Sequence, residues 1–249
     1  MSSPALRIMW LYPDHMNIYA DRGNIALLEQ RCRWRGIGFE LGTAGPGDEI
    51  DPGAHDLYYM GGGQDRDQAL VTRDLAETKR ESLAEAVGTG ASFLAVCGGY
   101  QLLGHSYEVP GGDPLPGLGL VDLRTVREPG ERLIGNVLIE ADLGTGARRM
   151  AGFENHGGRT YLGAGEQPLG RVVSGFGNNG KDGAEGVRRG RLIGTYLHGP
   201  LLPKNAWLAD VLTSWALERR TGETPRLEPL DDALEDAAHE SAVRAALRG

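Results

Sequence analysis

Cysteine is almost missing from this chain: 249 residues hold two, Cys32 and Cys97. So few cannot build a disulfide framework, and they point to a reducing compartment, the cytoplasm. Basic charge is in deficit too. The 34 Asp and Glu outnumber the 26 Lys and Arg, for a net charge of −8. That argues against nucleic acid or an anionic membrane surface as partner. Long apolar runs are absent, since no stretch approaches the ~20 residues of a membrane span. The start, "MSSPALRIMWLYPD", has a single Arg and no extended apolar core, so it does not read as a secretion signal. No His/Cys/Asp cluster has ligand spacing, and no metal site is expected.

Glycine, by contrast, is plentiful at 39 residues, and it marks many tight turns. Through about residue 106 the pattern alternates. Leu6–Tyr12 reads as a buried strand, and "DRGNIALLEQRCRWRGI" as an amphipathic helix that absorbs Cys32 as a packing residue. Strands follow at 37–42 and in "HDLYYM", then a long helix over Asp67–Val87, then "ASFLAV". Alternation of this kind implies a parallel sheet covered on both faces. Beyond it, "LVDLRTVRE", "ERLIGNVLIEADL", "RTYLG", "GRVVSGF" and "RLIGTYLH" are short strands between glycine-rich turns. The fold class is therefore α/β, a mostly parallel central sheet flanked by helices, with an antiparallel extension. A helix over 203–220, opened by Pro203, closes a domain spanning 1–222. Residues 223–249 form a polar tail with helical spacing over 230–248.

The chemistry collects around "FLAVCGGYQLLG", residues 93–104. An apolar strand ends at Cys97, two glycines turn the chain, and a helix begins. This is the pattern of a nucleophile elbow with Cys in place of Ser. A cysteine nucleophile needs a base and a pair of oxyanion donors. His198 directly follows the strand "RLIGTYL", so it emerges at the same sheet edge as Cys97. His156, in "FENHGGRTY" and read as a loop residue, is the rival. One oxyanion donor is the amide of Gly98. The other is expected from "MGGGQD", within Gly61 to Gly63, with Gly62 at the centre. The segment "GFGNNGKD" (175–182) matches a phosphate loop as far as GxxxxGK. It ends in Asp instead of Ser or Thr and opens no helix, so it is read as a plain glycine-rich loop.

"AVCGGYQLLG" with the distant "GTYLHG" resembles the class I glutamine amidotransferases of the cobyric acid synthase branch. "NIYADRGN", "GFENHGGRTYL" and "GFGNNGKDGAEG" narrow the resemblance to the GatD-type glutaminase subunits of lipid II isoglutaminyl synthase. It runs from about residue 6 to 220 and implies a flavodoxin-like fold. It implies that Cys97 attacks the side-chain amide of L-glutamine, with His198 moving the protons and Gly62 and Gly98 holding the oxyanion. Arg132 matches the family's substrate-contacting arginine, and a guanidinium fork suits an α-carboxylate. Gln101 resembles the glutamine that lines the pocket. The implied partner is a Mur-ligase-like, MurT-type subunit in a heterodimer. That subunit would hold ATP and Mg, with no cofactor in this chain, and would amidate the D-glutamate of lipid II. Alternatives are a glutaminase serving another ATP-dependent synthase, such as a corrin amidotransferase, or a non-catalytic subunit of the same fold.

Two departures stand out. Ala95 sits where many relatives carry Gly. Pro200 occupies the place where many class I enzymes carry an acid two positions after the histidine. From Pro200 the expectation is that the partner supplies the third triad group, with Glu154 or Asp122 as the alternatives within the chain.

Overall fold

The computed structural model describes residues 5–18 and 21–248. Tyr19 and Ala20, inside the "NIYADRGN" motif, lie outside the described residues. The first half alternates as the periodicity predicts: β1 (Ala5–Leu11), α1 (Arg22–Trp34), β2 (Gly38–Ala44), β3 (Leu57–Met60), α2 (Asp65–Asp74), α3 (Arg80–Gly88), β4 (Ser92–Val96) and α4 (Gly98–Leu102). The long helix expected at 67–87 is present but interrupted. Leu75–Lys79 forms a π-helical turn that buries Lys79, whose Nζ reaches Asp74 Oδ2 at 2.5 Å.

The second half begins with β5 (Ser106–Glu108), β6 (Leu115–Pro116), β7 (Leu123–Arg127), β8 (Leu133–Asp142), β9 (Ala147–His156) and β10 (Gly158–Leu162). It continues with β11 (Gly170–Ser174), β12 (Ala184–Glu185), β13 (Val187–Arg189) and β14 (Leu192–Thr195). Three helices close the chain: α5 (Leu201–Lys204), α6 (Ala206–Thr221) and α7 (Ala233–Arg248).

The main sheet has the order β13-β14-β4-β3-β1-β2, parallel throughout except for the edge strand β13. Every residue of β3, β4 and β14 is buried, as expected for strands covered on both faces. Two four-stranded sheets, β10-β7-β5-β6 and β12-β11-β8-β9, form the extension. Order 2-1-3-4-14 places the topological switch between β1 and β3. Side chains at the carboxyl ends of β1, β3, β4 and β14 therefore converge.

Three expectations need correction. Strand β9 was not anticipated, and His156 ends this ten-residue strand instead of lying in a loop. The helix expected at 203–220 is broken at Asn205. Its side chain accepts from Ala151 N–H at 2.9 Å and donates to Ala151 O at 2.8 Å, so β9 bonds it in place of a helical turn. Helix α7 is not only polar. Its Val243 and Ala246 are buried against Leu138 of β8 and Ala151 of β9, and Ser174 Oγ donates to Ala246 O. The segment before α7 is held by Arg31, a buried guanidinium that pairs with both Asp210 and Asp232.

Candidate active site

Cys97 leaves β4 with φ 51° and ψ −105°. Only it and Tyr12 have positive φ among the described non-glycine residues. Such a conformation costs ~1–3 kcal/mol and persists only where the surroundings over-determine it. They do so here. Cys97 N–H donates to Thr195 O of β14 at 2.8 Å, and Gly99 N–H donates to Gly61 O at 3.1 Å. A Cβ on Gly99 would sit 2.6 Å from Met60 O, so only glycine allows the elbow to approach the end of β3 this closely. Gly98 is the first residue of α4, where an amide has no acceptor within the helix.

His198 follows β14 and is fully buried. Its Nδ1 lies 3.4 Å from Asp21 Oδ1, and its ring also interacts with the Cys97 sulfur. Burial works against the imidazolium, but Cys97 and Asp21 outweigh it and raise the pKa to about 10. A second carboxyl group, that of Glu185, interacts electrostatically with His198. Burial pushes it up to about 8 despite hydrogen bonds from Thr195 and the Tyr196 amide. Asp21 itself is fully buried at the start of α1, where its carbonyl accepts from Tyr59 Oη at 3.1 Å. Asp21 was not among the acids of this chain that the sequence suggested beside His198, Glu154 and Asp122, and it reaches the ring across 177 positions of sequence.

The amides of the glycine loop after β3 are not equivalent. Gly62 N–H is engaged, donating to Asp21 Oδ2 at 2.7 Å, while Gly62 O accepts from Ile18 N–H at 3.1 Å. A trans peptide held this way sends the next amide, that of Gly63, in the opposite direction. Gly63 N lies 2.9 Å from where a Cβ on Gly98 would be. Gly63, within the Gly61–Gly63 stretch expected to supply an oxyanion donor, thus has its amide nitrogen beside the elbow, whereas the Gly62 amide is committed to Asp21.

Gly63 borders a cavity of about 500 Å³ that Cys97, Gln101, Arg132 and His156 also line. Gln101 is nearly buried, and its orientation is fixed. Its Oε1 accepts from Gln68 Nε2 at 2.9 Å, and its Nε2 donates to Tyr196 Oη at 3.1 Å. Arg132, at the exposed mouth, donates from Nε to Asn155 Oδ1 and from Nη2 to Asn155 O, both at 2.8 Å, which sets the plane of its fork. His156 forms a wall. It stacks on Tyr196 with centroids 3.5 Å apart, and Nδ1 donates to Gly158 O at 2.8 Å. Burial lowers its pKa, the opposite direction from His198. The loop that mimics a phosphate loop turns its amides inward, with Phe176 and Gly177 N–H both donating to buried Glu154. Among the described residues no group of His, Cys, Asp or Glu could hold a metal ion.

Residues 7–206 match the CobB/CobQ-like glutamine amidotransferase domain. The chain belongs to this family. It is 44% identical over 216 residues to the lipid II isoglutaminyl synthase (glutamine-hydrolyzing) subunit GatD of Staphylococcus aureus, covering 86% of each chain. Identity to the GatD subunit of Streptococcus pneumoniae is 37% over 229 residues, covering 92% of this chain and 87% of that one. The fold of this amidotransferase domain is similar to that of PurLQS from Thermotoga maritima, with a TM-score of 0.57 at 19% identity. That match covers 86% of this chain and 95% of the other.

Sequence reading missed Asp21 and Gln68. Asp21 carries a local signal, an acid at a helix start just beyond a strand, but nothing in the sequence connects it to His198.

Proposed function

We propose that this chain is the glutaminase subunit of a lipid II isoglutaminyl synthase. The observation that carries the reading is Cys97, held at positive φ on the elbow and flanked by His198 at a cavity large enough for one amino acid. The Cys97 thiol passes its proton to His198, and its sulfur attacks the side-chain amide carbon of L-glutamine, forming a C–S bond as the carbonyl π pair moves onto oxygen. Negative charge on the former carbonyl oxygen meets the amides of Gly98 and Gly63. The C–N bond then breaks as nitrogen takes a proton from His198, and ammonia leaves. Water attacks the thioester, His198 takes its proton, and glutamate is released as sulfur departs. Arg132 receives the α-carboxylate at the mouth, and Gln101 forms the pocket floor.

Ammonia would pass to a partner subunit. The GatD relatives are named as subunits of a synthase, which supports a partner in general; we take it to be a Mur-ligase-like, MurT-type chain that amidates the D-glutamate of lipid II. ATP and Mg would reside there. A cytoplasmic location fits two unpaired cysteines, and no helix among the described residues is long and apolar enough to cross a membrane. The test is Cys97→Ala in the assembled complex. Glutamine-dependent amidation of lipid II should vanish while amidation driven by added ammonium persists. Retained glutaminase activity would remove Cys97 as the nucleophile.

A further inference from the structure

Gln68, on the first turn of α2, lines the cavity with Cys97 and is 2% exposed. Its carboxamide stands next to both oxyanion amides. A Cβ on Gly98 would meet Gln68 Nε2 at 2.6 Å and Gly63 N at 2.9 Å. Both Nε2 protons are committed, one to Gly63 O at 3.2 Å and one to Gln101 Oε1 at 2.9 Å. A backbone carbonyl only accepts, so the Gly63 contact fixes which end of the amide is nitrogen. The other end, Oε1, is buried and has no hydrogen-bond partner among the described residues. A buried acceptor left without a donor is costly, and in a binding cavity it calls for one from the ligand. The bonds that leave Nε2 continue in one direction. Gln101 Nε2 donates to Tyr196 Oη at 3.1 Å, the Tyr196 proton has Thr160 Oγ1 as acceptor at 2.6 Å, and Thr125 Oγ1 follows at 2.8 Å. Aligned hydrogen bonds in a buried site polarise one another. Every donor points away from Gln68, so negative partial charge gathers on its free oxygen.

We propose that Gln68 Oε1 reads the carboxamide nitrogen of the substrate and so selects glutamine over glutamate. This rests on the glutaminase reading above. The substrate's carbonyl oxygen goes to the amides of Gly98 and Gly63, and its NH₂ is bonded to the same carbon. That nitrogen therefore comes within reach of the neighbouring Gln68 carboxamide, and it offers the proton that Oε1 lacks. A γ-carboxylate offers none. It would set oxygen against oxygen where water cannot relieve the unpaired acceptor. The contact favours glutamine on entry and disappears once the nitrogen has left as ammonia, so glutamate is held less firmly. Gln68 touches the substrate and exchanges no proton with it, which makes it a specificity residue. Its nitrogen has a separate task, tying Gly63 to Gln101.

The test compares two substrates in the complex with its partner. The γ-methyl ester of L-glutamate keeps the α-ammonium and α-carboxylate of glutamine but lacks the N–H. Gln68→Met keeps the size of the side chain and removes both its donors and its amide oxygen. In this variant kcat/KM for glutamine should fall about tenfold or more beyond any fall for the ester, the share of one hydrogen bond to a buried acceptor. Loss of the tie between Gly63 and Gln101, or of a contact to the α-ammonium, would lower both substrates equally. Gln68→Glu keeps an acceptor and gives up the donors. Its overall rate should fall while its preference for amide over ester stays within about threefold of wild type. Thermal midpoint and co-elution with the partner report folding. Should Gln68→Met not fold, Gln68→Asn, whose oxygen is drawn back by one methylene group, should show the same loss of preference. An amide-to-ester ratio within about threefold of wild type in Gln68→Met, or in Gln68→Asn where it stands in, would overturn the proposal. So would an equal loss of preference in Gln68→Glu. A wild-type complex that turns over neither substrate and is not labelled at Cys97 by a glutamine-like electrophile would instead sink the glutaminase reading.

Discussion

Gly99→Ala adds one methyl group at the tightest point of the elbow. The new Cβ would lie 2.6 Å from Met60 O, 2.9 Å from Gly61 O and 3.0 Å from Met60 Cγ. Two of these neighbours are backbone carbonyls, which cannot rotate away as a side-chain tip can. The gap must open from 2.6 Å to the 3.4 Å of ordinary contact, about 0.8 Å. The Gly99 N–H to Gly61 O bond crosses the same gap, so it lengthens too. Overpacking of this kind costs roughly 1–3 kcal/mol, or roughly 2–12 °C in Tm for a chain of this size. Catalysis should suffer more than stability. Displacing a reacting group by about 1 Å costs on the order of 10²-fold, and here the elbow moves against the loop carrying Gly63. The assay is kcat/KM for glutamine together with the rate of Cys97 alkylation. Gly88→Ala, whose Cβ would meet nothing within 4 Å, is the control and should leave both unchanged. Wild-type kcat/KM in Gly99→Ala would refute the claim that elbow and loop are in rigid register.

The parallel sheet was legible because its inner strands are buried on both faces and so appear as short unbroken apolar runs, as in "SFLAV" and "LIGT". The elbow was legible for a related reason, since nucleophile, glycine turn and helix are neighbours in sequence. Strand β9 was hidden. Gly144 and Gly146 lead into it, its first three residues are exposed and include Arg148 and Arg149, and Gly152 interrupts it. That glycine is required by packing, since its Cβ would fall 2.7 Å from Leu197 Cβ. The acid was hidden more thoroughly. Asp21 and His198 meet only because β1 and β14 both end at one edge of a sheet whose order the sequence does not state. The choice of Gly63 over Gly62 follows from which amide Asp21 takes, a side-chain contact with no trace in the motif "MGGGQD". Local motifs thus placed Cys97 on its elbow, and three-dimensional order showed what surrounds it.

Arg132→Ala should reduce kcat/KM for glutamine by roughly ten- to a hundredfold, because a charge-assisted hydrogen bond is worth about 1.5–3 kcal/mol. Steady-state kinetics with glutamine decide this, and an unchanged kcat/KM rules out the assignment. The two buried histidines, His198 and His156, should separate sharply. His198 faces the thiol with its pKa raised and Asp21 behind it, whereas His156 has its Nδ1 proton committed to Gly158 O and its ring committed to Tyr196. Removing the first deletes the proton shuttle, a loss on the order of 10²–10⁴-fold in kcat. Removing the second takes away a wall of the cavity, so KM should rise while kcat changes by less than about tenfold. The pH profile distinguishes them further: the alkaline limb set by His198 persists in His156→Ala and disappears in His198→Ala. Equal losses in kcat, or a larger loss in His156→Ala, would make His156 the base. The stacked ring would then have to leave Tyr196 during turnover.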